Sequence, residues 1–245
     1  KAEVGSLMFT REYMCVPIST GTSLFNPEHL DNAKNKDLVL KPLKREGYKY
    51  FIGVDPAIST DGDYNVITVI EMDAEENKSI IYVDRAKNVQ FRENIQKVKL
   101  LNQVFRPEVI LFETNTVAKS FTQELRQVAD VNVHDFDTTR RKKQEIILNL
   151  QMTLENGKIN FPYGNEESRK VSSLLIEELS MFAITERGKF EGIGAHDDMV
   201  MSLALANAAT YQANDNFILL DDLGLFNDEP AKAKLPNNST IGLNF

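Results

Sequence analysis

Tyr48-Lys49-Tyr50-Phe51-Ile52-Gly53-Val54-Asp55-Pro56 is the stretch on which the fold turns. Tyr48–Val54 is short, apolar and rich in aromatic and β-branched residues, so it reads as a buried strand that Asp55-Pro56 closes. Asn65–Glu71 then reads as a second strand and Lys78–Arg85, after a polar turn at 73–77, as a third. Short connections between consecutive strands predict an antiparallel meander. Phe91, Ile95, Val98, Leu101, Val104 and Phe105 recur at helical spacing, and Pro107 stops that helix. Glu108–Phe112 is a fourth strand, ending at Glu113. A right-handed crossover through the helix places it parallel beside the first strand. The C-terminal ends of strands one and four then adjoin, at the edge where open α/β sheets bind their ligands.

The remaining pattern extends the same α/β architecture. Helices are predicted over Ser120–Ala129, Thr139–Glu155 and Glu166–Leu179, with a strand over Val131–Phe136 and a short edge strand over Lys158–Phe161. Phe182–Ile193 alternates about Glu186-Arg187-Gly188 and reads as a β-hairpin, with Gly192 and Gly194 allowing it to move. Ala195–Tyr211 is the last helix, small and apolar along most of its length. Residues 1–47 read as an irregular linker holding an apolar piece, Glu12–Ile18, and a short helix, Pro27–Ala33, capped by Asn26. Residues 48–211 form the predicted domain and 212–245 a tail without periodicity.

A net charge of −8 argues against a protein that coats nucleic acid by charge alone. Cys15 is the one cysteine, so no intrachain disulfide forms. No apolar run reaches the roughly 18 residues of a membrane span. There is no Gly-x-x-x-x-Gly-Lys-Ser/Thr run, so no P-loop for ATP.

Asp55 and Glu113 are carboxylates placed at two adjoining strand ends. Two anions so close repel unless one is protonated or a cation lies between them. No basic residue stands immediately beside either, and oxygen-only ligands favour Mg2+ or Mn2+. His196-Asp197-Asp198 opens the last helix. Asp197 is equally well read as a plain helix cap. Asp198, directly before Met199-Val200-Met201, is a better third ligand. Three such groups offer oxygens enough for two ions about 3.5–4 Å apart, which can hydrolyse a phosphodiester. His196 could orient a carboxylate or a water. Arg140-Arg141-Lys142-Lys143 is the strongest basic cluster. It reads either as a solvated turn or as a phosphate contact, with Lys143 foremost and Lys119, Arg187 and Lys189 secondary.

Together these residues resemble a known family. Phe51-Ile52-Gly53-Val54-Asp55-Pro56-Ala57, Asp61-Gly62-Asp63-Tyr64, Leu111-Phe112-Glu113 and Ala195–Ala204 resemble the motifs of the nuclease half of tailed-phage terminase large subunits. Phe9–Ile18 is similar to the stretch that leaves the ATPase domain in that family, so residues 1–47 would be a linker from that domain. The resemblance implies an RNase H-like fold, with a mixed sheet flanked by helices and a β-hairpin before the last catalytic helix. It implies an endonuclease that cuts concatemeric double-stranded viral DNA during packaging. Asp55, Glu113, Asp198 and Asp197 would hold two Mg2+ or Mn2+ ions, and Asp63 matches a further acidic position. The hairpin would border the DNA groove, bringing Arg187 and Lys189 to the backbone. In related resolvases the last-helix acid lies one turn later, where this chain has Met201 or Ser202. Implied partners are the small terminase subunit, the portal protein and the ATPase domain of the full-length polypeptide. The implied setting is the host cytoplasm, transiently at the procapsid portal. The competing readings are another RNase H-like nuclease, such as a Holliday-junction resolvase, and a non-catalytic docking module of the packaging motor.

Overall fold

The computed structural model describes residues 23–41, 43–56, 64–114, 119–127, 131–185, 187–193 and 196–213. Along the chain the elements are α1 (Pro27–Asn32), β1 (Lys34–Asn35), β2 (Lys49–Asp55), β3 (Asn65–Met72), β4 (Lys78–Ala86), α2 (Phe91–Phe105), β5 (Val109–Thr114), α3 (Lys119–Arg126), β6 (Val133–Asp137), α4 (Arg140–Glu155), β7 (Ile159–Pro162), α5 (Glu166–Ser180), β8 (Phe182–Ile184), β9 (Phe190–Gly192) and α6 (Asp198–Gln212). Seven strands form one mixed sheet in the order β1-β7-β4-β3-β2-β5-β6, and β8-β9 form a separate hairpin.

The meander and the crossover lie as their patterns predict. β3 pairs antiparallel with β2 and with β4, and all eight of its residues are buried. β5 lies parallel to β2, with Phe51 opposite Val109 and Val54 opposite Phe112. Asp55 and Glu113 therefore each follow the last paired residue of adjoining strands. Strand alternation divides the core in two. Phe51, Val66, Val109 and Leu111 face a layer that includes residues of α1, α4, α5 and α6. Tyr50, Ile52, Val54 and Phe112 face residues of α2 and α3 on the other side. Position 55 shares the parity of Phe51, and 113 that of Leu111, so both carboxylates belong to the α6 side.

Gly53 decides how close α6 comes. A Cβ there would stand 2.1 Å from the Ser202 carbonyl oxygen and 2.3 Å from the Ala206 backbone nitrogen. The Ser202 hydroxyl donates to the Gly53 carbonyl at 3.0 Å. The small residues of α6 are thus its packing surface, and Met199 through Thr210 are all buried.

Two expectations change. Lys158–Phe161 was expected at the sheet edge, but β7 pairs with β1 on one side and β4 on the other. A two-residue strand carries no hydrophobic alternation to announce it, so β1 has no pattern to read. The linker reading of residues 1–47 does not extend to their later part, because Leu24, Phe25, Leu30 and Ala33 belong to the core shared with α4 and α6. α2 keeps its expected span, Phe91–Phe105, with Arg106 at a left-handed φ of 50° as the C-cap before Pro107. Glu12–Ile18, Asp63 and the tail from 214 lie outside the described residues. No helix among the described residues is long and apolar enough to cross a membrane.

Candidate active site

Asp55 and Glu113 meet. Their side chains lie close enough to interact directly, and two carboxyl groups so near each other favour a proton on one of them. Burial first, then the charge of Glu113, then those of Asp198 and Asp197, push Asp55 well above the ordinary carboxylate range. Glu113, Asp198 and Asp197 therefore all lie close enough to act on Asp55.

The two acids of α6 part company with simple capping. Asp197 occupies the N-cap position, yet its side chain caps nothing. It accepts a hydrogen bond from Lys143 Nζ at 2.9 Å instead. The first turn of α6 is held from outside by Glu178 of α5, whose carboxylate accepts the Met199 N–H at 2.9 Å. Burial raises the Glu178 pKa, while its backbone donors and Arg85 pull it down. Asp198 Oδ2 accepts the Tyr64 N–H at 3.1 Å. His196 Nδ1 lies 3.5 Å from the same oxygen, within ion-pair range but too long and misaligned to count as a hydrogen bond.

Tyr64 is the hub of the far rim. Arg85 stacks 3.3 Å from its ring centroid, Lys87 lies 4.4 Å from it, and His196 meets it edge-on at 5.0 Å. Arg85 also pairs with Glu178 at 3.4 Å. Tyr64 enters the sequence reading only as the end of the Asp61–Tyr64 motif, and Arg85, Lys87 and Glu178 escape it as site residues. Glu178 in particular looks like an ordinary acid near a helix C-terminus, where the dipole disfavours it.

The basic cluster of α4 is divided in its duties. Arg140 donates to the carbonyls of Arg187 and Gly188, each at 3.0 Å, and Gln144 donates to Gly188 at 3.2 Å. Arg140 thereby holds the turn of the hairpin. Arg141 pairs with Glu145 at 3.2 Å, and Lys142 lies 5.8 Å from the Phe136 ring. Lys189 gives its backbone N–H to the Thr185 hydroxyl, and Arg187 is in the hairpin turn. Lys143 is the member of the cluster that reaches the carboxylates. The hairpin backs onto them as well: a Cβ on Gly192 would meet the Asp197 Cβ at 3.2 Å.

The donor set is oxygen-rich and desolvated, which suits a hard divalent cation. Among the described residues, no group of three or more His, Cys, Asp or Glu side chains is arranged to hold an ion as it stands. Asp55 and Glu113 lie near each other, and Lys143 donates to Asp197 at 2.9 Å. The residues fit such an ion in chemistry.

A family model described as "Terminase RNaseH-like domain" matches residues 52–209. The large terminase nuclease from thermophilic phage G20c with bound magnesium superposes with a TM-score of 0.57, at 24% identity over 78% of this chain and 98% of that one. The Thermus phage P74-26 large terminase nuclease domain gives 0.53, at 22% identity over 74% and 92%. The HK97 bacteriophage large terminase gives 0.55, at 9% identity over 76% of this chain and 43% of that one. These likenesses establish the RNase H-like fold of this chain. No curated protein sequence matches it.

Proposed function

This chain belongs to the terminase RNase H-like domain family, and from that premise we propose that it is a divalent-metal-dependent endonuclease that cuts concatemeric double-stranded viral DNA during genome packaging. The observation that carries the reading is the convergence of Asp55, Glu113, Asp197 and Asp198, with Asp55 so desolvated and crowded by anions that its pKa stands well above the ordinary carboxylate range. Such crowding is costly in a domain that does not use it.

In this reading Asp55, Glu113 and Asp198 hold the metal, and Asp197 joins them on leaving Lys143. Asp63 is a further acid of the set. Mg2+ or Mn2+ fits the all-oxygen donors, and the phage G20c nuclease has been crystallised with magnesium, cobalt and zinc. Two such ions about 4 Å apart would supply Lewis acidity to an attacking water and offset charge on the leaving 3′ oxygen. The chain's own groups do the rest. The Tyr64 amide orients Asp198. Lys143, freed from Asp197, is near enough to meet a phosphate oxygen. Arg141 and Lys142 on α4, with Arg187 and Lys189 on the hairpin, border the path of the DNA, while Arg140 keeps the hairpin in place.

An acidic domain binds DNA weakly by charge alone. Site choice therefore falls to a small terminase subunit, and presentation of the DNA to assembly at the portal of a procapsid in the host cytoplasm. The large terminase of HK97 is longer than the part this chain covers, and an ATPase domain of the same polypeptide is the natural further partner. The tail proposed for 212–245 begins after Gln212, which closes α6.

Cleavage of supercoiled plasmid tests the reading. The parent is expected to nick and linearise with Mg2+ or Mn2+, and Asp55→Asn to lose both activities. No cutting by either protein with either metal would favour a docking module. Equal cutting by both would place the chemistry elsewhere.

A further inference from the structure

Glu178 is a buried carboxylate that the proposed chemistry does not use, 8% exposed and 20 residues before Asp198 in the chain. Its two limbs reach the same place. One limb is its acceptance of the Met199 N–H, which makes it the cap that Asp197 does not supply. The other runs through Arg85, which pairs with Glu178 and stacks on Tyr64, whose N–H in turn holds Asp198 Oδ2. A helix whose N-terminal donors are met from another element needs no cap of its own. Asp197 is thus released to face Lys143, and Asp198 is held through the amide of the next residue, Met199, and at its own carboxylate.

Resting on the metal-centre reading above, we propose that Glu178 is a positioning residue for the metal site, acting through the first turn of α6 and through Arg85–Tyr64. Groups that orient metal ligands typically change metal affinity by about 10- to 100-fold when lost. A residue that only stabilised the fold would leave that affinity intact in the folded protein.

The test is Mn2+ binding to the full chain, read from the electron paramagnetic resonance signal of the free ion. It is made well below each variant's unfolding midpoint. Glu178→Ala is expected to weaken Mn2+ binding by about tenfold or more. Glu178→Gln keeps an oxygen for the Met199 N–H and is expected to restore most of that loss. Arg85→Met cuts only the second limb and is expected to fall between them. Parental affinity in Glu178→Ala, whatever its thermal stability, overturns the proposal. If Glu178→Ala does not fold, parental affinity in both Glu178→Gln and Arg85→Met overturns it instead. Absence of Mn2+ binding in the parent, or binding that survives in Asp55→Asn, removes the metal centre itself and this inference with it. That outcome is distinct from a parent that binds normally beside unaffected Glu178 variants.

Discussion

Burial and three neighbouring carboxylates keep a proton on Asp55 at pH values where a free aspartate has lost it. A folded-state pKa above the unfolded one means the native chain binds that proton more tightly. The stabilisation is fully present below the unfolded pKa and is lost as pH rises through the raised value. Asp55→Asn is therefore expected to remove that loss and raise the metal-free unfolding midpoint at neutral pH by roughly 2–4 °C, about 1 kcal/mol. A lower midpoint in the mutant would mean the aspartate is not crowded. Metal must displace the same proton. Calorimetric Mn2+ titrations in two buffers of different ionisation enthalpy should show proton release, and weaker binding as pH falls. The lead acids were legible because each ends an apolar strand, where a carboxylate has no role in the core. Glu178 was not, since its partner is an amide 21 positions away that only tertiary packing brings near.

At the scale of elements, α4 and the hairpin behave as one unit. Arg140 accounts for two hydrogen bonds to the β8–β9 turn, and charge-assisted bonds of this kind are each worth about 1.5–3 kcal/mol. Arg140→Ala should speed amide hydrogen exchange over residues 187–193 by about tenfold or more, while α6 keeps its protection. Unchanged exchange would show that the turn holds itself. Helices α2, α4 and α5 were readable as spans; their caps, Thr139 for α4 and Asn165 for α5, and the left-handed Gly157 after α4 are what the structure adds. β1 was not, because two residues make no period. The hairpin was readable as an element, but its tether was not: Arg140 reads as a surface cation, and only folding brings it to residues 187 and 188.

For the whole molecule, the sheet has two unlike ends. One carries the acids. At the other, Lys78 is buried between β4 and α6, donating to Asn207 Oδ1 at 2.9 Å and lying 4.2 Å from the Tyr211 ring. Burial pulls its pKa down to about 7, against the charge of Glu76 and with that of Lys158. Since the unfolded chain holds this proton more tightly, stability from this group rises with pH from near 7 toward the ordinary lysine value. Lys78→Met should therefore gain more in unfolding midpoint at pH about 6 than at pH about 9, by denaturation at each. An equal change at both would mean Lys78 keeps its charge throughout. The domain as a whole was legible from its order of strands and helices. The inclusion of residues 23–35 was not, because Leu24 and Phe25 lie in a turn-rich stretch whose core partners are far along the chain.

The contact at Gly53 has a consequence for anyone altering this protein. The atoms that would clash with a side chain at 53 are the Ser202 carbonyl oxygen and the Ala206 nitrogen, which belong to the main chain. No exchange of side chains along α6 can make room for them. The strand that ends in Asp55 and the helix that begins at Asp198 must accordingly be inherited, grafted or redesigned together. Variation between descendants of such a domain must leave this junction closed.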